Sequence, residues 1–599
     1  MPEPANAMQA GWLELPEGQV FVCYHPPLGA RRDCAVLMCD PFGSDRMNLH
    51  LTYRLLAQEL ARHGFGVLRV DYPGTCDSSG DARHPSAHPD QSPLSAWLGA
   101  LDGAASWLRA RTAAKELCAF GAVLGGTIAA ALAARRTDVT GLLLWAALPT
   151  GRAFLREMAA FRAMTKANPA GWKPSDHQPH DLEAMGFLIT DALRRDLEGL
   201  DVAKMDLHHV QRVALFRRNT NLPLEPLEKA LRRTVPTVHV QPAAVVDLAS
   251  LQDEGACPPP ALVEEMSAWC QSAFPHRANV TTPDGTTPPA ASAITKTKDG
   301  RSVRETVVRF GTDHELFGIR VEPTADLGTT GVVLVNGGAN HRVGINRLYT
   351  EWARDLAADG LRVFRIDVRG LGDSPPPQGQ RHCVLYRNSA QDDVRAAIDH
   401  MKASGVTTTY CVGLCAGGYH SLHTAITDPR VAGLVMLNPL RLKRVDSPEV
   451  KVESERDFGS VASYGRKLLS PRSIARVLRG KVNVKGIAQS VGARLSARVA
   501  SRLKKMASSD APAASWFSGV LLGLTGRGAR VCLVLDVADP ITERILEDIA
   551  PDREKLDASK RFQVEQIANT DHIYTPLWSQ EHLGQRIRAI LCAWMAGKS

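Results

Sequence analysis

One order of strands, loops and helices occurs twice along this chain, and the two copies keep register at a fixed separation. Asp367 follows Asp71 by 367 − 71 = 296 positions, Asn336 follows Asp40 by 336 − 40 = 296, and Arg342 follows Arg46 by 342 − 46 = 296. In the first copy, residues 20–25 and 34–39 read as strands. They lead into the loop Asp40-Pro41-Phe42-Gly43, a helix over 53–63 and a strand over 66–70 that closes on Asp71-Tyr72-Pro73-Gly74-Thr75-Cys76-Asp77-Ser78. A helix at 93–111, a strand at 116–120, the turn Gly121-Ala122-Val123-Leu124-Gly125-Gly126 and a strand at 141–146 follow. In the second copy the strand 331–335 leads into Asn336-Gly337-Gly338-Ala339 and a helix over 348–359. The strand 362–366 closes on Asp367-Val368-Arg369-Gly370-Leu371-Gly372-Asp373-Ser374, and a helix at 391–403 and a strand at 433–437 come after it. A repeat this long is a tandem duplication of a whole domain, not a solenoid. Strands alternating with helices imply mostly parallel sheets with helices on both faces.

Between the copies, residues 276–302 are rich in Thr, Pro, Ala, Asp and Gly without apolar periodicity, and read as a linker. This gives a domain at 1–275 and another at 303–599. Strands at 303–310 and 315–321 open the second domain as an antiparallel hairpin. At 599 residues the chain is too long for one domain, and 44% hydrophobic with 22% charged residues is ordinary for a globular protein. No apolar run approaches the ~20 residues of a membrane span, and residues 1–12 lack the charged start and apolar core of a signal peptide. Twelve cysteines without metal-type spacing point to a reducing cytoplasm. No metal, cofactor or nucleic-acid partner is expected.

The chemistry centres on Tyr410-Cys411-Val412-Gly413-Leu414-Cys415-Ala416-Gly417-Gly418. Residues 405–410 before it read as a strand and 419–427 after it as a helix. Strand, G-x-nucleophile-x-G and helix make the nucleophile elbow of α/β-hydrolases. Taken alone, G-x-C-x-G is equally a small buried cysteine in any strand-turn-helix. The loops downstream supply the rest of a triad. The late strand 530–535 ends in Asp536-Val537-Ala538-Asp539-Pro540, where Asp539, in the loop, is better placed than Asp536 to reach a base. The last strand, 562–567, is followed by Asn569-Thr570-Asp571-His572 and a helix at 581–595. Nucleophile, acid and histidine thus fall in the α/β-hydrolase order. Cys415, His572 and Asp539 are the expected triad. The backbone N–H groups of Ala416 and Gly338 are the expected oxyanion donors. Arg342 and Arg347 either hold a substrate phosphate or carboxylate or are surface charge at a helix start. His341 lies in the loop that should border the site. His420 and His423, on the helix after the elbow, point to surface or packing roles.

The first copy keeps the frame and loses the chemistry. Val123 stands at the nucleophile position, and no histidine lies between the strand 237–241 and the helix 261–272. This copy reads as a non-catalytic domain. Each copy also has an insertion after its post-elbow strand, at 153–219 and 441–524, expected to form a helical cap. The second is strongly basic, with Arg472, Arg476, Arg479, Lys481, Lys485, Arg494, Arg498, Arg502, Lys504 and Lys505 among its residues. That charge is either a solvated helix surface or a docking face for an anionic partner.

The second copy resembles the exosortase A system-associated hydrolases, type one, of the α/β-hydrolase superfamily. The resemblance covers nearly all of 303–599. It rests on Gly337-Gly338 with Arg342-Val343-Gly344, on Asp367-x-Arg369-Gly370-x-Gly372-Asp373-Ser374, and on Gly413-Leu414-Cys415. The run from Thr427 to Val435 into Leu437-Asn438-Pro439 and the segment Lys467-Leu468-Leu469-Ser470-Pro471 belong to it as well. The first copy looks like the type-two members, whose elbow is likewise degenerate, through a Gly186-Phe187-Leu188 helix and Asp71-Tyr72-x-Gly74-x-x-Asp77-Ser78-Ser79-Gly80. Those proteins are separate chains, so the fusion is a departure. The resemblance implies two tandem α/β-hydrolase domains and a link to exopolysaccharide or natural-product biosynthesis and acyl-carrier chemistry. A cysteine nucleophile favours an acyl thioester as substrate, carried on coenzyme A or on an acidic acyl carrier protein, with transfer or hydrolysis of the acyl group. The alternatives are a carboxylester or lactone hydrolase and, in another class, a non-catalytic binding scaffold.

Overall fold

The structure, a computed structural model, describes residues 8–162, 178, 180–217, 226–242, 258, 260–276, 286–444 and 515–597. Two sheets carry the two copies. The first contains β1 (Gln9–Leu15), β2 (Gly18–His25), β3 (Cys34–Cys39), β4 (Gly66–Val70), β5 (Glu116–Ala122) and β6 (Val139–Trp145). A separate hairpin of β7 (Leu182–Ala184) and β8 (Phe187–Ile189) precedes its last strands, β9 (Arg212–Arg217) and β10 (Thr237–Pro242). The spatial order is β1-β2-β4-β3-β5-β6-β9-β10, antiparallel as far as β4 and parallel beyond.

The second sheet begins with an extra edge strand, β11 (Ser292–Lys296), and then repeats the plan. Its strands are β12 (Ser302–Phe310), β13 (Leu316–Pro323), β14 (Thr330–Val335), β15 (Arg362–Asp367), β16 (Thr408–Leu414), β17 (Val431–Leu437), β18 (Arg530–Asp536) and β19 (Phe562–Ile567). Their order, β11-β12-β13-β15-β14-β16-β17-β18-β19, matches the first sheet strand for strand once β11 is set aside.

The helices of the first copy are α1 (Ser44–Arg62), α2 (Pro93–Thr112), α3 (Leu124–Arg135), α4 (Gly151–Arg162), α5 (Asp191–Gly199), α6 (Pro226–Thr234) and α7 (Pro260–Ala273). Those of the second are α8 (Leu348–Ala358), α9 (Ala390–Ala403), α10 (Ala416–Thr427), α11 (Trp516–Gly526), α12 (Pro540–Ile549), α13 (Arg553–Ala558) and α14 (Leu577–Met595). Strand side chains alternate between faces, and both faces of this sheet are covered. Val333, Val335 and Cys411 join Val394 and Met401 of α9, Leu422 of α10 and Leu521 of α11 in one core. Val332, Leu334 and Val412 join Trp352 and Leu356 of α8 and Ile587 and Trp594 of α14 in another. Such strands must be apolar along their whole length, which is why β14 reads Val-Val-Leu-Val without alternation.

That second core also takes in Trp12, Phe21 and Cys23 of the first copy, so the copies share buried apolar surface. Ion pairs cross the same boundary in mirrored fashion. Arg69 reaches Asp373 at 2.6 Å and Arg365 reaches Asp77 at 2.6 Å. Since 365 − 69 and 373 − 77 both equal 296, the repeat exchanges one pair for the other, as in the self-complementary contact of a two-fold dimer.

Three sequence expectations need correction. The stretch 276–302 is not linker throughout, because β11 lies inside it and pairs with β12. The insertion at 153–219 contains β9, a strand of the main sheet between β6 and β10. Gly186-Phe187-Leu188 is the turn and second strand of the β7–β8 hairpin, not a helix. In the basic insertion at 441–524, residues 445–514 lie outside the described residues. Its end, in α11, packs Phe517, Leu521 and Leu524 into the sheet core and is a crossover helix rather than cap. Among the described residues, no helix is long and apolar enough to cross a membrane.

Candidate active site

Cys415 sits between the carboxyl end of β16 and the start of α10, with φ 51° and ψ −115°. Close packing dictates the flanking glycines. A Cβ on Gly413 would run into the backbone of Gly417, and one on Gly417 into the carbonyl oxygen of Val335. The turn is pinned from beneath by Tyr349, whose hydroxyl donates to the Val335 carbonyl at 3.0 Å and accepts the Leu414 N–H at 3.1 Å. The first copy preserves this geometry around a residue that cannot react. Val123 has φ 51° and ψ −119°. Tyr53, at 349 − 296, makes the same two bonds, to the Cys39 carbonyl and from the Ala122 N–H, each at 2.9 Å. A β-branched residue at positive φ is strained, at a cost of about 1–3 kcal/mol.

The loops after β18 and β19 bring Asp539 and His572 together. His572 Nδ1 donates to Asp539 Oδ2 at 2.5 Å. The other oxygen, Oδ1, accepts the Ile541 N–H at 3.2 Å and caps α12, so one carboxylate both starts a helix and holds the imidazole. Asp536 turns away: its Oδ1 accepts the Ala538 N–H at 3.1 Å. Asn438, at the end of β17, donates through Nδ2 to the His572 carbonyl at 2.7 Å and accepts the Asp536 N–H at 2.7 Å, tying three strand ends together.

His572 Nε2 has no hydrogen bond of good geometry among the described residues, yet the Cys415 sulfur lies near enough to act on it. Burial disfavours the charged ring. The neighbouring Cys415 and the Asp539 carboxylate outweigh burial and raise the pKa to about 10. Ala416 is the first residue of α10, so its N–H has no intrahelical acceptor. Gly338, at φ 57°, lies in the loop after β14, and the neighbouring Gly337 packs against the Leu414 carbonyl, where a Cβ would come within 2.7 Å.

The three residues expected to bind substrate lie elsewhere. Arg342 is buried between the copies, pairing with Asp77 at 2.8 Å, Asp373 at 2.8 Å and Asp367 at 3.0 Å. Its guanidinium lies between the rings of Phe21 and Phe317. Arg347 donates to the carbonyls of Cys76, Gly74, Gly80 and Ser78 at 2.7–3.0 Å. His341 is buried and stacked on His50 of the first copy with centroids 4.1 Å apart. Burial first, then Arg46 and Arg342, keep it neutral. All three lie at the boundary between the copies, in contact with residues of the first copy.

Other residues that the sequence left unassigned border Cys415. Tyr386, in the loop before α9, brings its hydroxyl to 3.8 Å from Cys415 Sγ. Arg441 lies 5.0 Å over its ring. His420 and His423 are buried rather than exposed: the Nε2 of each lies against a carbonyl, Leu385 at 2.7 Å and Leu442 at 2.9 Å. Burial lowers the pKa of His420 to about 4 and keeps it a neutral donor. Two turns of helix α10 thus hold the neighbours of Tyr386 and Arg441. The only sequence signal was the spacing His420-x-x-His423 on the helix face. Among the described residues, Asp40, Asp71 and Cys76 of the first copy come close enough to share a cation. Arg46 already fills that place, bonded to Asp40 and, at 2.9 Å, to Asp71.

Residues 331–464 match a family described as the alpha/beta hydrolase fold. Among curated proteins none matches the sequence. Of the solved structures, a putative hydrolase from Agrobacterium vitis S4 is 18% identical, over 45% of this chain and 99% of its own, with a TM-score of 0.31. The Pyrococcus furiosus esterase PF2001 is 15% identical over 51% of this chain and 90% of its own, with a TM-score of 0.29. XC6422 from Xanthomonas campestris, described as an α/β serine hydrolase without lid, is 16% identical over 46% and 98%, with a TM-score of 0.27. The matched family and the strand order give the fold as α/β-hydrolase, in two sheet-bearing copies.

Proposed function

We propose that the second copy is a cysteine-nucleophile enzyme that takes an acyl group from a thioester and passes it to an acceptor or to water. The observation that carries this reading is the His572–Asp539 hydrogen bond of 2.5 Å beside a cysteine held at an elbow. His572 takes the Cys415 proton on Nε2, and the thiolate attacks the thioester carbonyl. The N–H groups of Ala416 and Gly338 receive the developing oxyanion. His572 then protonates the departing thiol, leaving an acyl-cysteine. An amine, alcohol or water gives its proton to His572 as it attacks that intermediate, and Cys415 is regenerated. Asp539 keeps Nδ1 protonated and balances the imidazolium throughout.

Sulfur narrows the substrate. Exchange of one thioester for another is nearly thermoneutral, and the acyl-cysteine keeps a good leaving group. The basic sequence between Lys443 and Lys505 gives an acidic acyl carrier protein a reason to be the donor. Under the same reading the chain stands with the exosortase-associated hydrolases, joined here with a partner that has lost catalysis.

Intact-mass spectrometry tests the reaction class. Incubation with acyl thioesters should add one acyl group, mapped to Cys415. Turnover of carboxylesters without an acyl-cysteine from any thioester would instead favour an ester or lactone hydrolase. No adduct and no turnover with either class would leave a binding scaffold.

A further inference from the structure

We propose that the first copy positions the general base of the second, through the β7–β8 hairpin, which clamps the loop carrying His572. The proposal rests on His572 being the base for Cys415.

The loop between β19 and α14 does not hold its shape by local preference. Asn569 and Tyr574, on either side of His572, have φ of 63° and 56°. Such residues keep this conformation only where their surroundings impose it. Part of the hold comes from the second copy itself, where the Thr575 N–H binds Asp571 Oδ1 at 2.8 Å and the Tyr574 hydroxyl donates to the Val534 carbonyl at 3.1 Å. The rest comes from the hairpin.

Helix α14 starts after Pro576, which has no side chain able to cap it. The cap arrives from the other copy: Glu183 Oε1 accepts the N–H of Leu577, the first helical residue, at 2.8 Å. A carboxylate there also suits the positive end of the helix. One turn on, Gln580 Nε2 donates both to the Gly186 carbonyl at 2.9 Å and to the Thr575 carbonyl at 2.8 Å. The tip of the hairpin is thereby stapled to a residue three places from His572. The fit is close. Gly186 has φ 80°, and a Cβ on it would come within 2.5 Å of the Thr575 oxygen and 2.6 Å of Gln580 Nε2. Behind the tip, Ala184 and Ile189 are buried in the first copy's own core, so the clamp is mounted on a rigid body. A domain that keeps an elbow around an unreactive valine thus retains a use: it fixes where the imidazole sits relative to Cys415 and Asp539.

The test uses the full-length chain with Glu183→Ala, Glu183→Gln and Gly186→Ala. The readouts are the pH dependence of iodoacetamide alkylation at Cys415, mapped by peptide mass, and kcat against KM with an acyl thioester. A displaced imidazole no longer takes the proton of Cys415, so alkylation there should lose its advantage over the other cysteines. Alkylation at pH 7 should fall about tenfold, and kcat should fall by about tenfold or more with KM little changed. Glu183→Gln keeps an oxygen that can accept the Leu577 N–H and should stay near wild type. Wild-type alkylation and kcat in folded Glu183→Ala would overturn the proposal, even if Gly186→Ala fails to fold. Glu183→Gln behaving as badly as Glu183→Ala would overturn the capping account. If wild-type Cys415 reacts no faster than the other cysteines, the nucleophile assignment fails, and the proposal falls with it.

Discussion

Replacing Asp77 by alanine should destabilise the whole chain far more than removing an ordinary surface carboxylate. Asp77 belongs to the first copy and both of its ion-pair partners belong to the second. Its Oδ1 accepts from Arg365 at 2.6 Å and its Oδ2 pairs with Arg342 at 2.8 Å, and the three side chains are at most 2% exposed. Burial alone would raise the Asp77 pKa. The Arg342 and Arg365 guanidiniums overcome it and hold the carboxyl well below the usual carboxylate range.

Removing one member of a buried pair costs about 3–5 kcal/mol, because the partner charge is left desolvated. The arginines would not be stranded completely. Arg342 keeps Asp367 and Asp373, and Arg365 keeps Glu305 at 3.1 Å and the Thr350 hydroxyl at 2.9 Å. The expected loss is therefore at the lower end, about 3 kcal/mol. The control is Asp102→Ala, which breaks a pair with Arg135 at 3.0 Å whose side chains are 28% and 48% exposed. That pair should be worth about 0.5 kcal/mol. Urea unfolding of both variants beside wild type reads the difference as a shift in midpoint. Because the folded pKa of Asp77 is depressed, its contribution is complete above the unfolded value of about 3.9. It is lost as pH falls below that value toward the folded one, so the gap between wild type and Asp77→Ala should close in acid. Equal losses for Asp77→Ala and Asp102→Ala near neutral pH would refute a desolvated ionic seam between the copies.

Asp539→Asn should lower kcat steeply while Asp536→Asn should not, and steady-state kinetics on the two would reverse the assignment if the ranking were reversed. With the His572 pKa raised to about 10, the imidazolium and its ion pairs persist from below pH 6.5 and are lost as pH rises through 10. The alkaline limb of kcat/KM should fall there and move to lower pH in Asp539→Asn. Tyr386→Phe removes a hydroxyl 3.8 Å from the sulfur; alkylation of Cys415 at pH 7 should slow by about tenfold for a lost hydrogen bond to a charged group, and an unchanged rate would exclude Tyr386 from the reaction. Val123→Cys should yield no acyl adduct in the first copy, because the sequence between β10 and α7 supplies no histidine; peptide mapping of an acylated Val123→Cys chain decides it. Charge reversal at Arg472, Arg476 and Arg479 together should raise KM for a carrier-bound thioester and spare that for a short pantetheine thioester; if both respond alike, no carrier docks on that sequence.

The sequence was most informative where function and fold depend on short range. The elbow glycine at 413 is required by the backbone of Gly417 in the same turn, so the motif betrays the turn, while Gly417 itself answers to the Val335 carbonyl on the neighbouring strand. Asp539 precedes a proline at the start of α12, a helix-starting signal that is local in the sequence. Long-range partners left no local trace. Strand β9 was hidden in the first insertion because Arg212–Arg217 is short and flanked by arginines. β11 was hidden because, on a sheet edge, it alternates buried and exposed residues among threonines and lysines, like a solvated segment. His341 and Arg347 sit at a loop-to-helix start, where a substrate contact and a contact to another domain look alike until the partners some 270 residues away are known.

For Arg342, however, the repeat itself held the answer. Arg46 occupies the same place, 342 − 296, and binds Asp71 at 2.9 Å as Arg342 binds Asp367 at 3.0 Å. A residue required by catalysis has no reason to recur in a copy whose nucleophile position is valine. A residue required by the frame has every reason to. The same comparison sorts the rest of the site. Tyr53 and Tyr349 recur and support the elbow in both copies, so Tyr349 belongs to the frame. Val123 and Cys415 share a backbone and differ in chemistry, which supports the proposed role of Cys415 in the reaction. Asp40 and Asn336 share a position, but the first is neutralised by Arg46 whereas the second spans its loop, donating to the Asn340 carbonyl at 2.9 Å and accepting the Val368 N–H at 3.3 Å. The loop that presents Gly338 is therefore braced differently from its counterpart, and Asn336→Asp should impair the acylation step without loosening the seam between the copies. A fall in kcat with an unchanged urea midpoint is the expected result. A lowered midpoint with normal kcat would make Asn336 part of the frame.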